Sequence, residues 1–396
     1  MDAESAGPGR RLVTRREFGG LSLAASIALG EAARAAAAPE NGVPAAAGDA
    51  LDAALDLLAP LGPASTGRLA NHAPMAAEAL YALGRPEEAL PWVERYKGRL
   101  AASPPPGTPI PDAAVAAALG REERLGDWRA TFDRALAEAP FAAVLGTWLP
   151  RLTPGFGAAA AHGAIRTAHA ARAIALKETK ARRQELSFAL AYWASQYETL
   201  PRARREGGKR LAPAAALRSI ETLRPSREPA PGNIVESLRT LATLPSFADV
   251  TDLLILETPA GATLSDLTAL FTHLYLAQGR VFPIAFLHGV TSLAAARVLL
   301  PFAADAGAAE DVVRASWQTA AAIYATFGTG ARLEADLEKA RAETEKKAFA
   351  AGELVERAVR NGDEHAIKLT EVCLRENALR PSWAFLAAAS DGIDRL

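Results

Sequence analysis

The chain carries six histidines, His72, His162, His169, His273, His288 and His365, and a single cysteine, Cys373. With one cysteine there is no internal disulfide and no cysteine-based metal site, so a metal must be held by imidazole, carboxylate or another oxygen donor. A lone histidine on an apolar helix is by default a hydrogen-bonded core residue, and only its company points to chemistry. His162 and His169 lie seven apart with Arg166 between them, and at about 3.6 residues per turn all three project from one face of a helix. Two histidines two turns apart cannot chelate one ion unaided, so one can be a ligand while the other holds it in place or binds substrate. His288 sits within Val281-Phe282-Pro283-Ile284-Ala285-Phe286-Leu287-His288-Gly289-Val290. A helix this apolar is buried, and its imidazole needs an internal partner: a metal, a carbonyl or a hydroxyl. His365 and Lys368 form His-x-x-Lys on one helix face. Glu364 and Glu371 favour a solvated face, whereas Ala366, Ile367, Leu369, Val372 and Leu374 leave little of that helix to water. A dry lysine neutralises easily, and a neutral amine condenses with CO2 to give a carbamate, an anionic oxygen ligand.

The elements that must position these residues follow from composition. Half of the 396 residues are hydrophobic (50%), and Lys+Arg 44 against Asp+Glu 45 leave a formal net charge of -1. Such a balance offers no basic footprint, so no nucleic acid or anionic membrane surface is expected as a partner. Alanine saturates the chain, and it favours helix because it loses no side-chain entropy there. An all-α fold is expected: one large multi-helix domain over residues 39–396, built from antiparallel helix hairpins. Asn71 can cap a helix with Pro74 in its first turn that stops at Leu83-Gly84, and a second helix over 86–100 returns beside it. Residues 101–111 are Pro-rich and read as a loop, as do 201–213 and 223–231. Further helices are predicted over 113–119, 122–137, 141–149, 156–174 and 182–197, then 234–242, 264–276, 282–300, 308–325, a long charged 334–360, 364–377 and 381–389. Leu83-Gly84-Arg85 and Leu119-Gly120-Arg121 repeat once, each before an acidic helix, which marks helix hairpins rather than a true array.

Thr14-Arg15-Arg16-Glu17-Phe18-Gly19-Gly20-Leu21, a modest apolar stretch and then Ala33-Arg34-Ala35 read as a twin-arginine export signal over residues 1–38. The mature chain then begins between Ala36 and Pro39, is periplasmic or extracellular, and meets the twin-arginine translocase in transit. The apolar stretch falls short of a membrane span of ~20 residues, and no integral membrane segment is expected in the mature chain. That route carries folded chains and is often used when a cofactor is inserted before export, which raises the expectation of a bound metal or prosthetic group.

Four segments together resemble the questin oxidase-like family: Asn71-His72-Ala73-Pro74-Met75 with Glu78 following, Pro154-Gly155-Phe156-Gly157 leading into His162-Gly163-Ala164-Ile165-Arg166-Thr167, Phe286-Leu287-His288-Gly289-Val290-Thr291, and His365-Ala366-Ile367-Lys368-Leu369-Thr370. The resemblance spans residues 51–391, and four motifs in this order are specific where each alone is weak. It implies a mainly helical oxidoreductase acting on polycyclic aromatic or quinone-type compounds, by O2-dependent ring cleavage or by Baeyer-Villiger-type oxygen insertion. It further implies non-haem Fe(II) held by His72, His162, His288 and His365, with carboxylated Lys368 as oxygen donor. Arg166 and His169 become candidate catalytic residues, facing substrate or holding a ligand from behind, and His273 has no assigned role. Imidazole and carboxylate-like oxygen suit Fe(II), and five protein ligands leave about one position for O2 or an ionised phenol.

Gly328-Thr329-Gly330 is the nearest approach to a dinucleotide fingerprint and stands between helices, so there is no sign of a Rossmann site. This favours the iron reading over an NADPH-dependent one, with NADPH left open as a reductant. Two readings from other classes stand beside the oxygenase: a non-catalytic helical binding protein of the cell envelope, and a zinc hydrolase using the same carboxylated lysine. No Gly-x-Ser-x-Gly elbow is present, and Cys373 on an apolar helix face reads as core.

Overall fold

The computed structural model describes residues 47–65, 70–203, 210–223, 233–257 and 259–396. The expected export signal lies outside the described residues, as do the middle of the 201–213 loop and nearly all of 223–231. The sequence's helical periodicity is realised in α1 (Ala47–Leu58), α2 (Ala73–Ala82), α3 (Pro86–Tyr96), α4 (Val115–Ala118), α5 (Leu125–Glu138), α6 (Phe141–Leu152), α7 (His162–Leu176) and α8 (Lys180–Ser195). The second half supplies α9 (Pro213–Arg218), α10 (Ile234–Arg239), α11 (Ala260–Gln278), α12 (Pro283–Leu299), α13 (Ala306–Phe327), α14 (Leu333–Thr344), α15 (Ala351–Asn361), α16 (Glu364–Leu379) and α17 (Trp383–Arg395). Strands β1 (Leu61–Ser65) and β2 (Leu100–Ala102) form one small antiparallel ribbon, which covers the start of the stretch expected as loop.

A large apolar core runs through the bundle from Trp128 to Ile393, and a smaller one lies between α1, α2 and α3 around Leu51, Leu80 and Trp92. Within the bundle four helices close a ring, α2 against α7, α7 against α12, α12 against α16, and α16 against α2. Among the described residues one helical stretch, Pro283–Phe302, is long and apolar enough to cross a membrane, and most of it is buried. It is packed by α7, α11, α13 and α16, so its hydrophobicity is spent on protein neighbours.

Three departures from the expected elements have physical reasons. The predicted 156–174 helix does not begin at Phe156: Ala159, Ala160 and Ala161 have φ of 48, 57 and 66, and α7 starts only at His162. Left-handed backbone costs a non-glycine residue ~1–2 kcal/mol, so tertiary contacts override alanine's helix propensity here. The charged 334–360 segment is two helices, because α14 packs on α11 while α15 packs on α16 and α17, and one straight rod cannot serve both. The Asn71 cap acts from one residue further out than expected: its Oδ1 accepts from the Ala73 amide at 2.9 Å, with His72 as the boundary residue. Gly84 and Gly120, the two glycines of the repeated Leu-Gly-Arg, both have positive φ, 76 and 73, the stop that only glycine takes without strain.

Candidate metal centre

Each histidine of the four motifs is delivered at or near a helix N-terminus by a local device. Asn71 pins the chain before α2 by donating its side-chain amide to the Gly62 carbonyl of β1 at 2.9 Å. At α7, a Cβ on Gly163 would lie 2.7 Å from the Trp193 Cα, so glycine is what lets this helix start against α8 with His162 as its first residue. Pro283 opens α12, and His288 follows one turn in. Asp363 caps α16, accepting from the His365 and Ala366 amides at 2.7 and 3.2 Å.

The four devices bring His72, His162, His288 and His365 to one place. Ring centroids are 4.7 Å apart for His72 and His162, 4.6 Å for His162 and His288, and 4.5 Å for His72 and His365. The Nε2 of His162 lies 3.0 Å from the Nε2 of His72 and 3.1 Å from that of His288. Lys368, one turn beyond His365, brings its Nζ to 2.9 Å from His72 Nδ1 and is 2% exposed.

Tautomers follow from the other ring nitrogens. His162 Nδ1 faces the Ala159 carbonyl and His288 Nδ1 faces the Ile284 carbonyl at 2.7 Å. A carbonyl only accepts, so in both rings Nδ1–H donates and Nε2 holds a lone pair. Two lone pairs therefore confront each other at 3.1 Å. A proton is not available to bridge them. Burial and then the charge of Lys368 hold His162 down to about 3, and burial with the neighbouring imidazoles holds His288 well below its usual value. His72 is held well down by burial and Lys368, and His365 is lowered by burial against the pull of Asp363. A metal ion would resolve the conflict, since nitrogens that each lie ~2.1 Å from one ion stand about 3–3.4 Å from one another. Four neutral imidazoles with an anionic oxygen nearby thus fit a borderline divalent cation.

Sequence reasoning gave no role in the site to three carboxylates that matter here, reading Glu364 as part of a solvated face and Glu78 only as part of a motif. Glu364 offers an oxygen within 4.8 Å of ligand atoms of both His72 and His365; its place beside His365 in the chain is the signal that could have found it. Glu78 accepts from His169 Nδ1–H at 2.6 Å and binds the Arg172 guanidinium. Glu185 takes both arms of Arg166 at 2.7 and 2.8 Å. A glutamate on an otherwise apolar helix, as at Glu78, is the sequence sign of such a buried pair. The structure therefore brings together His72, His162, His288, His365 and Lys368, and divides the rest. His169 points to α2, Arg166 points to α8, and His273 stacks on Trp383 with ring centroids 4.9 Å apart. Burial takes Lys368 down to about 8, against the pull of Glu364 and Asp363, so a share of neutral amine exists near neutral pH.

A cavity of about 670 Å3 lies beside the centre, within the ~300–1,000 Å3 range of small-molecule sites. Its floor is Gly157, Ala158, Ala159 and Ala160, its walls include Leu200 and Leu238, and its mouth carries the Glu198–Arg239 pair. Its lining is mostly apolar, with charge at the exposed Glu198–Arg239 pair.

No curated protein matches the chain. A family model described as questin oxidase-like matches residues 69–373, a span that contains all four histidine motifs and Lys368. The chain therefore belongs to the questin oxidase-like family, and with it to the oxidoreductases.

Proposed function

We propose that this protein is a metal-dependent oxygenase that opens, or inserts oxygen into, polycyclic aromatic or quinone-type compounds, and that it works outside the cytoplasm after twin-arginine export. The observation that carries the reading is the approach of the His162 and His288 Nε2 atoms to 3.1 Å while both Nδ1 atoms face backbone carbonyls. His72, His162, His288 and His365 would hold Fe(II), with Lys368 as its carbamate. When bound, the ion supplies the redox chemistry that brings O2 to an electron-rich ring.

The chain's own residues do the rest. As an ammonium, Lys368 can only donate to His72 Nδ1, which forces the proton of His72 onto Nε2 and spoils it as a ligand. Condensation with CO2 forms an N–C bond and releases a proton, turning Lys368 into an acceptor. His72 Nδ1–H then donates and Nε2 is freed. His72, His288, His365 and Lys368 are buried away from water, with His162 partly so, and the neighbouring cavity would hold the aromatic substrate with its polar substituents toward Arg239 and Glu198.

The reading is tested by metal analysis and native mass spectrometry of the mature protein purified anaerobically. One iron per chain and the added mass of one CO2, both lost in Lys368→Ala, are expected. Turnover of a hydroxyanthraquinone under labelled O2 then separates the two chemistries. Ring cleavage puts both oxygen atoms in the product without a reductant, whereas insertion puts one there, sends the other to water and consumes a reductant such as NADPH. Stoichiometric zinc sinks the oxygenase in favour of a hydrolase, and a protein that takes up no metal is left as a helical binding protein.

A further inference from the structure

The stretch between Gly157 and His162 belongs to two compartments at once. Ala158, Ala159 and Ala160 line the floor of the 670 Å3 cavity, and the Ala159 carbonyl accepts the Nδ1–H of His162. On one side the turn is touched by α10, which walls the cavity with Val235 and Leu238; on the other it is touched by α12, which carries His288. Its backbone is left-handed at three successive alanines, a conformation that persists only where its surroundings over-determine it. The surroundings do so: Ala160 and Ala161 are almost fully buried, a Cβ on Gly157 would meet the Leu200 Cδ1 at 3.0 Å and the Thr319 Oγ1 at 3.1 Å, and Gly163 is wedged on Trp193.

We infer that this alanine turn is the wall shared by substrate cavity and metal centre, and that the Ala159 carbonyl is the positioning group through which a bound aromatic substrate sets the orientation of His162. The inference rests on the metal reading above and adds the site's coupling to it. A ligand seated on Ala159 and Ala160 presses on backbone already held in a single strained state, and the first group that backbone holds is the His162 imidazole. Because close-packed surroundings transmit strain rather than absorb it, substrate seating changes the donor geometry at Nε2 before any atom of the substrate reaches the ion.

The test uses the full mature chain loaded with Co2+ as a spectroscopic reporter, and 1,8-dihydroxyanthraquinone as the probe. In wild type, adding the anthraquinone is expected to shift the visible cobalt bands. In Ala160→Gly, glycine relaxes the left-handed constraint without adding bulk; the protein should melt no lower than wild type, bind cobalt one to one and still bind the anthraquinone, while the band shift falls at least twofold. In Val235→Trp, which fills the cavity from α10, the anthraquinone should bind at least tenfold more weakly with cobalt stoichiometry unchanged. A band shift of full size in Ala160→Gly overturns the coupling, since the substrate then acts on the ion directly. Unchanged anthraquinone affinity in Val235→Trp overturns the cavity as the substrate's seat. Failure of wild type to bind cobalt overturns the metal reading itself, and is told apart from the other two because no bands appear at all.

Discussion

At the scale of residues, the centre is defined by which nitrogen of each imidazole is spoken for. The Ala159 and Ile284 carbonyls and the Asp363 carboxylate, 3.4 Å from His365 Nδ1, occupy three Nδ1 atoms, the arrangement by which ligating histidines are oriented. His72 is the exception, with its Nδ1 on Lys368, and this makes Lys368 the residue on which the set depends. Lys368→Ala is expected to weaken metal binding at least about tenfold by chelator competition, and a short carboxylic acid such as propionate, filling the space as an acceptor, should restore part of it. Unchanged affinity in the variant would remove Lys368 from the centre. His72, His162, His288, His365 and Lys368 were singled out as a set by the resemblance of their four motifs to the family, with the apolar run around His288 and the mostly apolar helix around Lys368 as the local signs. Glu364, Glu78 and Glu185 were not, because a carboxylate is ordinary on a helix until its neighbours from other helices are known. The same blindness affects Arg166 and His169. Their spacing puts them on one face with His162, yet a face some way round a helix meets two neighbours, and α8 takes Arg166 while α2 takes His169.

At the scale of elements, four helices begin at or near the centre, with His72 before α2, His162 opening α7, His365 in the first turn of α16 and His288 in the second turn of α12. Helix N-termini carry partial positive charge. Their convergence adds to burial in keeping the imidazoles neutral and calls for an anion, which Asp363 and Glu364 at the edge and a carbamate at Lys368 can supply. Close approach of α7 to α8 sets where His162 starts. Gly163→Ala would put a methyl 2.7 Å from the Trp193 Cα and Cβ, and backbone cannot swing aside as a side chain can. Loss of about 1–3 kcal/mol is expected, read as a lower Tm, together with metal occupancy below one per chain. A melt and an occupancy equal to wild type would show that α7 can shift without cost. Helix existence was legible throughout because alanine and the apolar spacing agree, whereas the break at Ala159–Ala161 and the division between α14 and α15 were not. Both are imposed by packing partners, and local propensity is worth too little per residue to resist them.

At the scale of the whole molecule, the four ring helices are tied a second time, beyond the centre, by a buried ionic chain. Glu78 of α2 binds Arg172 of α7, which also binds Glu371 of α16; Arg375 joins Glu371 at 2.9 Å and Glu376 at 2.7 Å, and Glu376 holds Arg297 of α12 at 3.0 Å. Nothing in the order of residues along the chain predicts this network, since its members come from segments up to about three hundred positions apart. Its effect on stability has a definite sign. Burial alone would push Glu371 up, but Arg172 and Arg375 hold it down to about 2, below the ~4.3 of an unfolded glutamate. A group depressed on folding stabilises above its unfolded value and loses that contribution as pH falls through its folded value, so the window is pH 4.3 down to about 2. The shift corresponds to on the order of 3 kcal/mol. Glu371→Gln should therefore be less stable than wild type by about that much at pH 7, with the gap closing as the pH is lowered from about 4.5 towards 2.5. The buried histidines of the centre also take up protons on unfolding below their usual value of ~6.5. They do so equally in both proteins, which is why the difference between the two denaturation curves, and not either curve alone, is the quantity to measure. A gap that stays constant from pH 7 to 3 would mean that Glu371 holds the ring by shape rather than by charge, and would shift the weight of the assembly back to the apolar core.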